Sequence, residues 1–266
     1  MPFTPSHAVV ALPFLRTPLV PAAIAIGAMT PDLPLFLRGT GLTYGFTHTD
    51  ENLVWTTLIA LVLFFVWRVL LRPAAGDLLP QPIARRLPAD WRRRRAQALL
   101  QAAGVGEPAG YPVLLAVSCL MGVLSHILWD RFTHAGRAGV EWLPVLAEQW
   151  GPLPGYTWLQ HGSSIIGLAI IAIAALLWFR RTAPQADARS TVSAWIRVTW
   201  WLSLPAVLVV AWFIGVAQLG PLTQEFTARH LAYRVLPPAC AIWGALTFGL
   251  CAAIALIRPR GSRIAA

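Results

Sequence analysis

Charge is scarce in this sequence. Only 12% of its 266 residues are Asp, Glu, Lys or Arg, where soluble domains run at roughly a quarter. Lysine is absent, so all 21 basic side chains are Arg, which we read as a coding bias without mechanism. Cysteine is confined to Cys119, Cys240 and Cys251, each inside an apolar run. On one helix Cys240 and Cys251 would stand ~16 Å apart, so no disulfide framework is expected. No Gly-rich phosphate loop, nucleophile elbow or paired-Cys zinc motif occurs. These deficits exclude an ordinary soluble globule and a disordered chain. A tethered soluble enzyme or DNA-binding module is excluded too, because the longest stretch between apolar runs, 72–111, sits at the lower size limit for an independent fold.

Apolar residues are abundant, at 57% with a mean hydropathy of +0.61. They gather in five runs long enough to cross a bilayer: 53–71, 112–130, 163–179, 195–218 and 236–257, each near the roughly 17–25 residues that a span needs. Ser163 is placed to cap the third. Pro205 lies inside the fourth, where a kink without a break is expected. The expected fold is all-α: a polytopic transmembrane bundle of about five spans, read as a single integral membrane domain over 1–266.

The Arg residues set the orientation. Arg72, Arg85, Arg86 and the run Arg92 to Arg95 fall in 72–111; Arg180, Arg181 and Arg189 follow the third run; Arg258, Arg260 and Arg263 follow the fifth. Those segments lie on one side of a five-span chain, which the positive-inside rule makes cytoplasmic. A bacterial inner membrane is the expected location, and the lipid bilayer the expected partner. No aromatic residues interleave with Arg92 to Arg95 as a base-stacking surface would require, so no nucleic acid is expected. The opposite side holds 30–52, 131–162 and 219–235, with most of the His.

The first apolar stretch, 8–29, carries Arg16, Pro13, Pro18 and Pro21 near its middle, poor content for one straight span. A re-entrant hairpin of 8–15 and 20–29 would bring Ser6-His7 close to Pro31-Asp32. The alternative is a sixth, kinked span with His7 and Asp32 on opposite sides. No basic residue precedes the apolar run, which argues against a cleaved signal peptide.

Ionisable groups at membrane depth are expensive, so the few present are informative. His126, Asp130 and His134 follow each other at i, i+4, i+8 along one helix face. Ser118 and Gly122 extend that stripe inward and would admit a close neighbouring helix. His7, Asp32 and His48 each stand at the outer end of an apolar segment. Singly each has a plain reading: Asp32 caps a Pro-Asp turn, His48 is a loop residue, and His134 is solvated at the interface. Together six His/Asp side chains from four chain regions converge on one membrane face. Imidazole with carboxylate suits zinc, manganese or iron, so His7, Asp32, His48, His126, Asp130 and His134 are the candidate ligands of a divalent metal, zinc first. His161, just before the third run, reads as an interfacial residue. His230, with Glu225, Arg229 and Arg234, reads as part of a solvated loop. Trp142, Trp150 and Trp158 read as an interfacial belt or as the lining of a substrate groove.

The opening Met1-Pro2-Phe3-Thr4-Pro5-Ser6-His7, the Pro31-Asp32-Leu33-Pro34 turn, Thr47-His48, the helix from Ser125 to His134 and Gln160-His161-Gly162-Ser163-Ser164 resemble domain-of-unknown-function family 4184. Its members are bacterial integral membrane proteins without an assigned activity. The resemblance covers most of 1–180, and the last two runs carry no motif of it. A more distant similarity is to bacterial membrane-bound proteins described as metal-dependent hydrolases. There an early His, a Pro-Asp turn, a Thr-His and a Ser-His-Ile-Leu-x-Asp occur in the order of His7, Pro31-Asp32, Thr47-His48 and Ser125 to Asp130. The order is also similar to that of the all-helical zinc-dependent phospholipase C fold. This chain departs from it, because Ile165 stands where a closing His-x3-Glu would need Glu. The resemblance therefore implies one or two metals. It also implies a metal-dependent hydrolase, and a site at headgroup depth on the extracytoplasmic face points to a lipid or lipid-linked phosphoester as its substrate.

The competing expectation is a non-catalytic membrane protein with a structural metal site or a polar cluster, an assembly or transport partner. Mid-span positions are nearly all apolar apart from Arg68, which argues against a transport path.

Overall fold

The computed structural model describes residues 3–92, 95–186 and 190–257. Arg93, Arg94, Arg189, Arg258, Arg260 and Arg263, part of the basic content read as cytoplasmic, lie outside the described residues. Five helices are long and apolar enough to cross a membrane: Asp50–Leu78, Tyr111–Thr133, Gly155–Arg181, Ala194–Leu219 and Ala228–Ile257. The protein is an all-α polytopic bundle. Among the described residues, strand is limited to Gln149–Trp150 paired with Leu153–Pro154. Large apolar side chains such as Ile165, Phe213 and Leu256 face outward from the spans, an arrangement that a lipid solvent permits and water would not. The chain divides into two compact units.

The first unit comprises Met1–Pro34, Gly39–Phe65 and Ala103–Thr182. It opens with a 3-10 helix, Thr4–Phe14, followed by a turn and an α-helix, Pro21–Met29. The prolines explain this layout. Pro5 and Pro21 occupy first turns, where a missing N–H costs nothing, and Pro18 falls in the connection. The Thr4 hydroxyl donates to Asp32 Oδ2 at 2.6 Å, so both ends of the stretch lie on one side and the segment is a hairpin, not a sixth span. Its first arm begins at Thr4, earlier than residue 8, which puts His7 inside the helix.

Helix Pro21–Met29 then packs backbone to backbone on the second span. A Cβ on Gly122 would stand 2.2 Å from the Ile24 carbonyl oxygen, and one on Gly27 would stand 2.3 Å from that of Cys119. Only glycine admits this approach, and it places His126 beside the end of the hairpin helix.

The third span begins at Gly155, well before residue 163. The two-stranded turn 149–154 delivers the chain straight into the helix, with Pro154 at the N-cap. Ser163 is therefore no cap. It sits mid-helix, donating to the Gln160 carbonyl at 3.2 Å and accepting from Trp129 Nε1–H at 3.1 Å.

The second unit comprises Leu35–Arg38, Val66–Ala102 and Ala183–Ala266. Here the first span continues past residue 71 to Leu78. Pro73 has no N–H for the carbonyl four residues back, and the preceding turn, Trp67–Leu71, widens to π geometry, with Arg72 N–H bonding the Trp67 carbonyl. Arg72 is consequently not a loop residue. It is buried, paired with Asp90 and flanked by the Trp67 and Trp91 rings at 5.6 and 5.1 Å. Asp77, fully buried, accepts from Thr191 N–H at 2.6 Å. Helices Gln81–Ala84, Ala89–Arg92 and Arg95–Ala102 occupy much of the stretch expected as a connection. Ala74, Leu78, Cys251 and Ile254 form the apolar core of this unit. The fourth span runs unbroken through Pro205. The fifth begins at Ala228, so His230 lies in a first helical turn rather than in a loop, accepting the Thr227 N–H at 3.2 Å.

Candidate metal centre

Four segments of the first unit bring the ionisable groups together. The hairpin supplies His7, and the turn after it supplies Asp32. The short helix Tyr44–Thr47 ends on His48, and the second span supplies His126 and Asp130. Each is fixed by local structure. The Thr43 hydroxyl caps Tyr44–Thr47 by accepting Phe46 N–H at 3.2 Å. The Thr47 hydroxyl donates to the Pro31 carbonyl at 2.7 Å and ties that helix to the Pro31-Asp32 turn.

His126 is fully buried. Its Nδ1 lies 2.7 Å from the Ala28 carbonyl, so that nitrogen carries the proton and Nε2 presents a lone pair. His48 is set in the same way, with Nδ1 3.0 Å from the Tyr44 carbonyl. The two Nε2 atoms face each other at 3.2 Å, and Asp130 Oδ2 lies 3.5 Å from one and 3.6 Å from the other. Asp32 Oδ1 stands 3.7 Å from His126 Nε2, and the His7 ring stacks on that of His126 at 4.0 Å. Two groups of three ligand atoms result, His7–Asp32–His126 and His48–His126–Asp130, each within 4.8 Å and sharing His126.

Within these groups acceptors outnumber donors. His7 Nε2, Asp32 Oδ1 and Asp130 Oδ1 are buried and lack a hydrogen-bond partner among the described residues. Buried polar atoms are ordinarily paired, and converging unpaired lone pairs fit a cation. The donor set, imidazole and carboxylate, fits a divalent transition metal. Burial holds His7 neutral, down to about 3, with the neighbouring His126 pushing the same way; neutral imidazole is the ligating form. Burial also raises the Asp32 carboxyl, against which His126 and the Thr4 hydroxyl pull it back. A cation beside it would favour the carboxylate further.

His134 sits at the edge of this cluster. Its Nδ1 lies 3.2 Å from the Asp130 carbonyl and 3.6 Å from Oδ2 of the same residue, while Gln160 Nε2 donates to its Nε2 at 3.2 Å. Burial lowers its pKa, with Asp130 opposing. His161 and His230 are exposed on their helices, outside both groups of three.

Three residues escape a reading of the sequence. The Tyr44 hydroxyl donates to Asp130 Oδ2 at 3.0 Å while its ring stacks on His48 at 3.6 Å, and burial raises the phenol so that it stays a donor. Thr4 holds Asp32, and Gln160 holds His134. Thr4 and Gln160 lie in motifs already singled out; Tyr44 precedes His48 by one helical turn, the only signal it leaves. Beside His48 and Asp130 a cavity of about 500 Å3 opens.

No curated protein and no solved structure matches the chain. One family model does, over residues 1–255, a range that takes in the hairpin, the Tyr44–His48 turn and the second and third spans that build the cluster, so the chain belongs to the domain of unknown function DUF4184.

Proposed function

We propose that the chain is a metal-dependent hydrolase of lipid or phosphoester substrates, embedded in a bacterial inner membrane with its His/Asp centre at the extracytoplasmic face. The observation that carries this reading is the convergence of two lone-pair-bearing imidazole nitrogens and two buried carboxylates whose Oδ1 atoms lack a hydrogen-bond donor among the described residues. His48, His126 and Asp130 would hold one ion; the single Nε2 lone pair of His126 cannot serve another, so a second ion would rest on His7 and Asp32. Zinc suits both sets. When bound, a divalent cation supplies Lewis acidity, acidifying water and polarising a phosphoryl or acyl oxygen. The protein's own groups do the rest. Ala28 and Tyr44 carbonyls fix the tautomers of His126 and His48, and the Tyr44 and Thr4 hydroxyls orient the two carboxylates. A carboxylate left outside the metal's coordination, Asp32 or Asp130, takes the proton from water. Arg residues in 72–111 and after the third span orient the chain by the positive-inside rule.

A second reading, a structural metal site or polar cluster, draws on the same hydroxyl bonds to both carboxylates, which also order the hairpin against the second span. Hydrolysis decides between them. Purified protein loaded with zinc is expected to cleave members of a phosphoester and phospholipid panel, and the His126→Ala/Asp130→Ala variant is expected to fall to background. Full activity in the double variant would sink the hydrolase reading. A zinc-loaded wild type inert across the panel would favour the structural one.

A further inference from the structure

The cavity beside the cluster is placed by the ends of three helices of the first unit. Asp50 begins the first span, Thr133 ends the second, and Ala138–Trp142 is the short helix after it. Span ends lie at the depth of lipid headgroups, where Trp is enriched. Trp142, 64% exposed, stands on the cavity wall. About 500 Å3 is ample for a headgroup, and it falls within the usual range of small-ligand sites.

The charges on this wall have both signs. Arg131 is already engaged, its Nη2 2.6 Å from each carboxylate oxygen of Asp50. That leaves Arg137 and Glu51. Arg137 stands over the Tyr44 ring at 6.0 Å, and among the described residues neither it nor Glu51 forms an ion pair. A guanidinium fork matches phosphate oxygens, and a carboxylate matches a hydrogen-bonding ammonium. One uncommitted group of each kind on the wall of one cavity, beside an imidazole–carboxylate cluster, is complementary to a ligand carrying both phosphate and ammonium. A ligand with phosphate alone would leave Glu51 facing an anion.

We propose that this cavity is the headgroup subsite for a phosphoester bearing a primary ammonium, the phosphoethanolamine class, with Arg137 on the phosphate and Glu51 on the ammonium. This inference rests on the hydrolase reading, because it lays the phosphate against His48 and Asp130.

The test uses the full chain in nanodiscs, zinc-loaded, titrated calorimetrically with glycerophosphoethanolamine, glycerophosphocholine and glycerol 3-phosphate. Zinc content is measured alongside in the wild type, Arg137→Ala and Glu51→Gln. The wild type is expected to bind glycerophosphoethanolamine at least about tenfold more tightly than the other two. Arg137→Ala weakens all three, Glu51→Gln removes the preference for the ammonium, and zinc content is unchanged in every protein. Displacement of the soluble ligand by phosphatidylethanolamine in the nanodisc, and not by phosphatidylcholine, assigns the headgroup to a membrane lipid. Without displacement it is assigned to a water-soluble phosphoester. Equal binding of the three probes, or variants that bind as the wild type does, overturns the headgroup subsite while intact zinc leaves the metal centre standing. Absence of zinc from folded wild type overturns the metal centre and the inference with it.

Discussion

Two imidazoles with their lone pairs turned toward each other are the central peculiarity of the first unit. Backbone carbonyls hold the protons of His48 and His126 on the far nitrogens, so neither ring relieves the other without a proton or a cation between them. Tyr44 supports this arrangement through Asp130. Tyr44→Phe keeps the ring stacked on His48 and deletes the hydroxyl. Zinc affinity is expected to fall roughly tenfold or more, as for other groups that orient metal ligands, with the fold unchanged, as read by competition with a chromogenic chelator. The His and Asp positions stood out in the sequence because ionisable groups beside apolar runs are costly and rare. Tyr44, Thr4 and Gln160 did not, because neutral hydrogen-bonding side chains near an interface leave no periodic or energetic signature.

Helix packing places these residues. The hairpin helix meets the second span where Gly27 and Gly122 remove side chains from the contact, and that contact sets Ala28 against His126. Gly122→Ala would drive a Cβ into the Ile24 carbonyl and the Ala28 nitrogen. It is expected to cost about 1–3 kcal/mol, seen as a lower Tm together with weakened zinc binding. Gly244→Ala, whose Cβ meets nothing within 4 Å, is the control and is expected to change stability by less than about 1 kcal/mol. The small-residue stripe and the hairpin were legible at this scale; the span ends were not. Hydropathy sees only the apolar middle of a helix. The polar turns 155–162 and 228–235 continue the hydrogen-bonded backbone without an apolar signal. Arg72 and Asp77 read as the end of a span, yet pairing with Asp90 and Thr191 lets the helix carry them inside.

The whole molecule divides its labour between its units. All the cluster residues belong to the first, whereas the second buries Arg72 and Asp77, paired with Asp90 and Thr191 respectively. Arg72→Ala strands Asp90 and opens the space between Trp67 and Trp91. A loss of roughly 1–3 kcal/mol is expected, measured by thermal unfolding, with bound zinc per chain unaltered. Family membership reaches residue 255, so the second unit is part of the family's architecture, although the motifs legible in sequence stop near residue 180. Its polar contacts join residues far apart in the chain, such as Asp77 with Thr191, and no local spacing announces them.

The most direct measurement is the metal content of detergent-purified protein, wild type beside His126→Ala/Asp130→Ala and His134→Ala. One or two equivalents of zinc are expected in the wild type and in His134→Ala, whose ring nitrogens are engaged by Asp130 and Gln160, and none in the double variant. A folded wild type that holds no metal even after loading would contradict the account and reduce the cluster to a hydrogen-bonded packing element.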